Sequence, residues 1–282
     1  MADRTALREA ILFSVITMGL SYLVFWGPIA LFGIQTVSFV SSVRGPLWAI
    51  IVFIIGGFVP SVVASIMTDI AGGPKSLGAL LKRSIQFGLG AKWYAGIFVV
   101  VLLGAAGQIT LNLLLGYRFN FAPYGSQLSS LIPLIVLGPL SEEYGWRGYL
   151  LVRLQRRWNA LTSSLAVGVV WGMWHLPLFY IVGTSQHELR LPFFGFFVGV
   201  LGVSVLMTWV SNNTRNSIWA AILFHWIHTY TIQVDASGVT RTPVYNWLEF
   251  APYVVIAVVV VIVWGPKNLM RNRDRPSVPT AG

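Results

Sequence analysis

The sequence predicts an all-α polytopic membrane protein with about eight transmembrane helices, and three observations predict it. Of 282 residues, 56% are hydrophobic and only 10% charged, against about 25% charged in soluble domains. The mean hydropathy is +0.72. Apolar runs recur that approach or exceed the roughly 20 residues needed to cross a bilayer, and lysine and arginine collect unevenly in the short segments between them.

The first run, Ile11–Ile34, follows the charged start MADRTALREA. It is longer than the roughly 7–15 apolar residues of a signal peptide and carries no small-x-small cleavage site, so it reads as a span. Leu47–Met67 is the second. Thr68 to Lys92, with Gly72-Gly73-Pro74, reads as an amphipathic interfacial segment before the third run, Tyr94–Leu115. Leu128–Leu154, Leu161–Val182, Pro192–Val210, Ile218–Val234 and the short Phe250–Trp264 complete the set. Residues 266–282 form a polar C-terminal tail, of which the last stretch, RNRDRPSVPTAG, is expected to be disordered. There is no internal repeat or low-complexity linker, and the chain reads as a single membrane domain over residues 1–282.

With residue 1 inside, fourteen Lys and Arg fall in inside segments and four (Arg44, Arg118, Arg190 and Arg241) in outside loops, with Arg147 left within a span. That bias places both termini in the cytoplasm of a plasma-membrane protein. The +10 net charge therefore orients the chain in its lipid bilayer and does not point to nucleic acid. The absence of cysteine excludes disulfides, thiolate metal sites and cysteine nucleophiles.

Three charges interrupt the fourth run, in SEEYGWRGYL. One charge at the bilayer centre costs roughly 2.5–3.5 kcal/mol, so three left alone would cost about as much as a whole domain's stability. They must be paired, neutralised or turned to a water-filled cavity. Glu143 and Arg147 are an i,i+4 pair with the acid first, the favourable order. Glu142 lies ~140° from Arg147 around a helix, sharing a face with Trp146 and Tyr149. One paired and one unpaired carboxylate, in unlike environments, can take different roles in proton transfer. The Glu143–Arg147 pair also reads simply as a staple between helices. Gly138-Pro139, one turn earlier, would kink the helix, which is tolerated at membrane depth beside a cavity.

Of four histidines, His187 lies in the polar loop GTSQHELR and reads as a surface residue. His175 lies in the fifth run and His225 and His228 in the seventh, and an intramembrane ionisable residue is a functional-site hypothesis by default. His228 also reads as an interhelical hydrogen-bonding residue. Carboxylates with imidazoles can hold and deprotonate water or bind zinc with one position open. No HExxH, GxSxG, P-loop or GxGxxG supports the familiar alternatives.

Taken in order, Glu142-Glu143-x-x-x-Arg147, Trp171-x-x-x-His175 and the segment around His225 resemble the three motifs of the CAAX protease and bacteriocin-processing (CPBP, or Abi) family of intramembrane proteases: EExxxR, F/W-x-x-x-H and H-x-x-x-N. The resemblance covers about residues 125–235. Together the three motifs are specific; EExxxR alone is less so. The resemblance implies a hydrolase in which Glu142 activates the attacking water with His175 assisting. Glu143 tied to Arg147 would position the site, and His225 would steady the oxyanion. Position 229 is Thr where the family has Asn, so the donor there would be Thr229 or its neighbour His228. No cofactor is favoured; were zinc bound, Glu143, His175 and His225 would be its ligands. The substrate implied is a membrane-associated peptide, prenylated or otherwise anchored, cut in the cytoplasmic half of the bilayer. Two other classes stay open. One is a non-catalytic scaffold or bacteriocin self-immunity protein with the same fold, favoured by Thr229. The other is a proton-coupled transporter, disfavoured by the lack of duplicated halves.

Overall fold

The computed structural model describes residues 2–36 and 44–271. They are predominantly helical, with no β-strand among them. Among the described residues five helices are long and apolar enough to cross a membrane: α1 (Arg4–Leu31), α2 (Leu47–Ile85), α3 (Ala91–Leu114), α6 (Phe193–Asn213) and α8 (Pro243–Trp264). Three further apolar segments fill the expected fourth, fifth and seventh places: α4 (131–154), α5 (Ala160–Trp174) and α7 (Ile218–Gly238). These three carry the polar residues singled out above, which is why they fall short in length or in apolar character.

Local sequence sets the boundaries. Asn159 caps α5 by accepting the Thr162 amide at 2.8 Å, and Ser217 caps α7 by accepting that of Ala220 at 3.2 Å. Pro46 and Pro192 precede α2 and α6. Gly73, at φ 68°, interrupts the long second helix with a kink, after which Pro74 to Lys82 continue as helix.

Small residues bring the helices together, as they do in bilayers. A Cβ on Gly172 would lie 2.7 Å from the Phe197 ring, and one on Gly145 would lie 2.8 Å from the backbone of Pro60. These sites lock α5 to α6 and α4 to α2. In α6, 67% of the most apolar stretch is buried, against 28–39% in α1, α2, α3 and α8. The others therefore show lipid an apolar face, with Leu23, Leu31 and Ile262 among the most exposed side chains, while α4, α5 and α7 meet beside α6 in the middle.

One expectation is corrected, and one feature of the tail is new. Gly138-Pro139 does not break α4: the chain stays helical but widens into π-turns over Val136–Leu140 and again over Tyr144–Leu150, which re-satisfy the backbone that Pro139 would orphan. The start of the C-terminal tail is docked. Leu269 is fully buried, and the carbonyls of Asn268 and Leu269 accept from Asn212 Nδ2 and Asn213 Nδ2 at 2.8 and 2.7 Å. The remainder of the tail, 272–282, lies outside the described residues.

Candidate active site

Glu142 projects from α4 into the interior and is 5% exposed. It is unpaired in charge, as its helix position suggested, but not in hydrogen bonding. Its Oε2 accepts two indole N–H groups, from Trp146 at 3.0 Å and from Trp171 of α5 at 2.6 Å. Two rigid donors fix the orientation of one carboxylate oxygen and leave the other for a further partner.

Glu143 and Arg147 form the expected pair, with Nη1 at 3.0 and 3.2 Å from the two carboxylate oxygens; both side chains are sealed from solvent. Glu143 Oε1 also accepts from His225 Nδ1 of α7 at 2.8 Å. The carboxylate thus ties α4 to α7 and fixes the His225 ring with Nδ1–H turned inward and Nε2 turned away. Arg147 lies 4.4 Å over the face of Trp171, an arrangement that suits a planar cation, while its Nε and Nη2 find no partner among the described residues.

His175 follows the end of α5. Its Nδ1 meets the Trp171 carbonyl at 2.8 Å; a carbonyl can only accept, so Nδ1 carries a proton, and in the neutral tautomer the lone pair is on Nε2. Edge contacts with Trp174 and Phe196, at centroid distances of 5.0 and 5.2 Å, hold that ring. His228 is 7% exposed and rests 4.5 Å from the Tyr253 ring, with Nδ1 unpartnered among the described residues. His187 pairs with Glu188 in the loop at 3.2 Å, away from this cluster.

These groups surround a cavity of about 220 Å³, large enough for several waters or a short stretch of peptide. Glu142, His175, His225, His228 and Thr229 all line it; Glu143 and Arg147 lie behind its wall. Its other walls come largely from apolar residues such as Trp26, Phe53 and Leu178. A fixed carboxylate, an imidazole lone pair and a carboxylate-backed second imidazole around one cavity can hold a water, take its proton and oppose a developing negative charge. The zinc set does not fit. Glu143 Oε1 is already held by Arg147 and His225, and no group of three or more His, Asp or Glu among the described residues is placed to hold a metal ion.

Trp171, which the sequence presents only as the first residue of the Trp-x-x-x-His motif, joins every part of the site. It donates to Glu142, accepts from His175 through its carbonyl, stacks under Arg147, and touches the His225 ring at 5.3 Å. Its signal was present: a tryptophan four residues before His175, as Trp146 is four residues after Glu142.

Residues 124–231 match the model of the family described as Type II CAAX prenyl endopeptidase Rce1-like. A curated protein of Methanococcus maripaludis, CAAX prenyl protease 2, is 32% identical over 142 residues, covering 45% of this chain and 52% of the relative. The matched part thus spans about half the length of that relative. Residues 124–231, the part that matches the family model, contain every residue of the cluster from Glu142 to Thr229.

Proposed function

We propose that this chain is an intramembrane endopeptidase acting on a membrane-associated peptide through water activated by Glu142, a reading supported by the match of residues 124–231 to the Rce1-like family model. The observation that carries the reading is the Glu142 carboxylate, oriented by two indole N–H groups and facing a cavity that His175 and His225 also line.

In the proposed step, water held between Glu142 and His175 Nε2 gives its proton to Glu142 as its oxygen attacks the scissile carbonyl. The tetrahedral oxyanion meets His225 Nε2, which donates when the ring is doubly protonated; Glu143 then opposes the ring's charge. Thr229, on the same cavity wall, supplies a hydroxyl where the family motif has an amide. Glu142 returns its proton to the departing amine, leaving a carboxylic acid and a free amine. Arg147 holds Glu143 in place through its Nη1 and touches neither substrate nor water.

Thr229 is also the feature that favours the second reading, a scaffold with the same fold and no hydrolysis. The experiment compares cells expressing wild type with cells expressing Glu142→Gln, by mass spectrometry of new peptide termini. Termini present only with wild type support hydrolysis. Identical termini, with both proteins folded and abundant, favour the scaffold.

A further inference from the structure

Three polar side chains of α7, His225, Thr229 and Gln233, follow one another at i,i+4 spacing, and all three line the cavity. Residues four apart share a helix face, so they form one polar row along a wall that is otherwise largely apolar. His225 and Thr229 stand at the reacting centre of the proposed step. Gln233 has no part in that step, and its side-chain amide is only half bonded.

Gln233 is 7% exposed, and its Oε1 accepts from Ser185 Oγ at 3.4 Å. Its Nε2 has no partner among the described residues. Of the described residues lining the cavity, His228 is the other with a buried side-chain nitrogen left bare. The two are not equivalent. A neutral imidazole carries its proton on either ring nitrogen, so the bare Nδ1 of His228 can be an acceptor, whereas an amide nitrogen only donates. A buried donor without an acceptor costs free energy. An acceptor that reaches Gln233 in the cavity removes that cost and meets a donor already stripped of water.

Spacing along the helix indicates which acceptor. At 1.5 Å of rise per residue, Gln233 lies about 12 Å along α7 from His225. An extended peptide, at about 3.3 Å per residue, covers that distance in roughly four residues. Its carbonyls alternate in direction from one residue to the next, so the carbonyl about four residues from the scissile one points the same way. One straight segment laid along α7 therefore turns its scissile carbonyl to His225 and a second carbonyl to Gln233. An odd offset would turn the second one away.

We infer that Gln233 is a substrate-binding residue: its Nε2 donates to the main-chain carbonyl about four residues from the scissile one and holds an extended substrate along α7. The inference rests on the hydrolase reading. Because the contact is to the main chain, it selects for an extended conformation and sufficient length, and not for a particular side chain.

The test uses a synthetic peptide spanning a bond that wild type cuts and Glu142→Gln does not. Replacing one amide with an ester weakens its carbonyl as an acceptor and removes its N–H, leaving the side chains unchanged. Esters are placed at the fourth carbonyl before and after the scissile one, and at the third as controls. With wild type, one of the two fourth-position esters should raise KM by roughly threefold to tenfold, the worth of one neutral hydrogen bond. Its kcat should stay within about twofold, as for a contact made equally in ground and transition states, and the third-position esters should change neither. Gln233→Met keeps the length of the side chain without the donor. At equal folded yield by size-exclusion chromatography, it should raise KM for the all-amide peptide by the same factor and respond to no ester. An unchanged KM with both fourth-position esters on wild type, which needs no variant to fold, overturns the inference and leaves hydrolysis standing. So does an ester effect that persists in full in Gln233→Met. If wild type cuts no bond that Glu142→Gln leaves whole, the hydrolase reading falls and this inference falls with it.

Discussion

Replacing Arg147 with methionine removes a guanidinium that is fully buried, 3.0 Å from the Glu143 carboxylate and 4.4 Å above Trp171. Glu143 is then left in the interior with His225 alone. Breaking a buried pair by removing one partner costs about 3–5 kcal/mol. Two features set the expected figure near the lower end. His225 still donates to Glu143, and Arg147 brings two buried donors, Nε and Nη2, that have no partner among the described residues, an offset of about 1–3 kcal/mol each that vanishes with the arginine. A loss of ~3 kcal/mol is a large share of a total stability of about 5–15 kcal/mol. Arg147→Met should therefore show lower folded yield in detergent and an earlier thermal transition. The double variant Glu143→Gln/Arg147→Met should recover about 0.5–3 kcal/mol of that loss, the range of coupling between residues in contact, because no unpaired charge remains. The double variant should still be inactive, since His225 loses the carboxylate behind it. Wild-type yield and melting for Arg147→Met, or strict additivity in the cycle, would refute the claim that Arg147 acts by holding Glu143.

Trp171→Phe keeps a ring beneath Arg147 but deletes the 2.6 Å donor to Glu142. A hydrogen bond to a charged group is worth about 1.5–3 kcal/mol, so the cleavage rate should fall by roughly 10- to 100-fold while folded yield stays close to wild type; an unchanged rate in a cleavage time course contradicts the orienting role. Gly172→Leu places side-chain atoms where Phe197 already stands, a Cβ alone lying 2.7 Å away. Overpacking of this kind costs typically about 1–3 kcal/mol, so its monodisperse yield in detergent should drop and the smaller Gly172→Ala should be milder; equal tolerance of both means α5 and α6 are not locked there.

Much of the fold was legible because lipid imposes a simple code. Hydropathy marked out segments that the structure makes helical. It could not reveal that α4 widens into π-turns over Val136–Leu140 and Tyr144–Leu150, nor that Gly145 in the second packs against Pro60, 85 positions earlier in the sequence. The cluster of Glu142, His175 and His225 was legible for a different reason. Ionisable groups are so unfavourable in a span that the few present had to meet one another or water. Pairing within one helix, as between Glu143 and Arg147, follows from spacing. The bond from Glu143 to His225 does not, since it joins helices whose relative rotation is set by packing. Trp171 was hidden by its composition class. In a membrane protein an indole first suggests an interfacial belt, and only the structure turns its N–H toward a carboxylate. The docking of Leu269 escaped notice because a single apolar residue in a polar tail carries no periodicity.

The central claim is that Glu142 activates water within the membrane. The most direct test reconstitutes the purified chain with membrane proteins from cells lacking it, in water enriched in oxygen-18, and identifies newly formed carboxyl termini by mass spectrometry. Wild type should generate new carboxyl termini carrying one oxygen-18 atom, and Glu142→Gln, at equal folded amount, should generate none. Labelled termini of the same identity and amount from both proteins would contradict the assignment of Glu142 as the group that activates water.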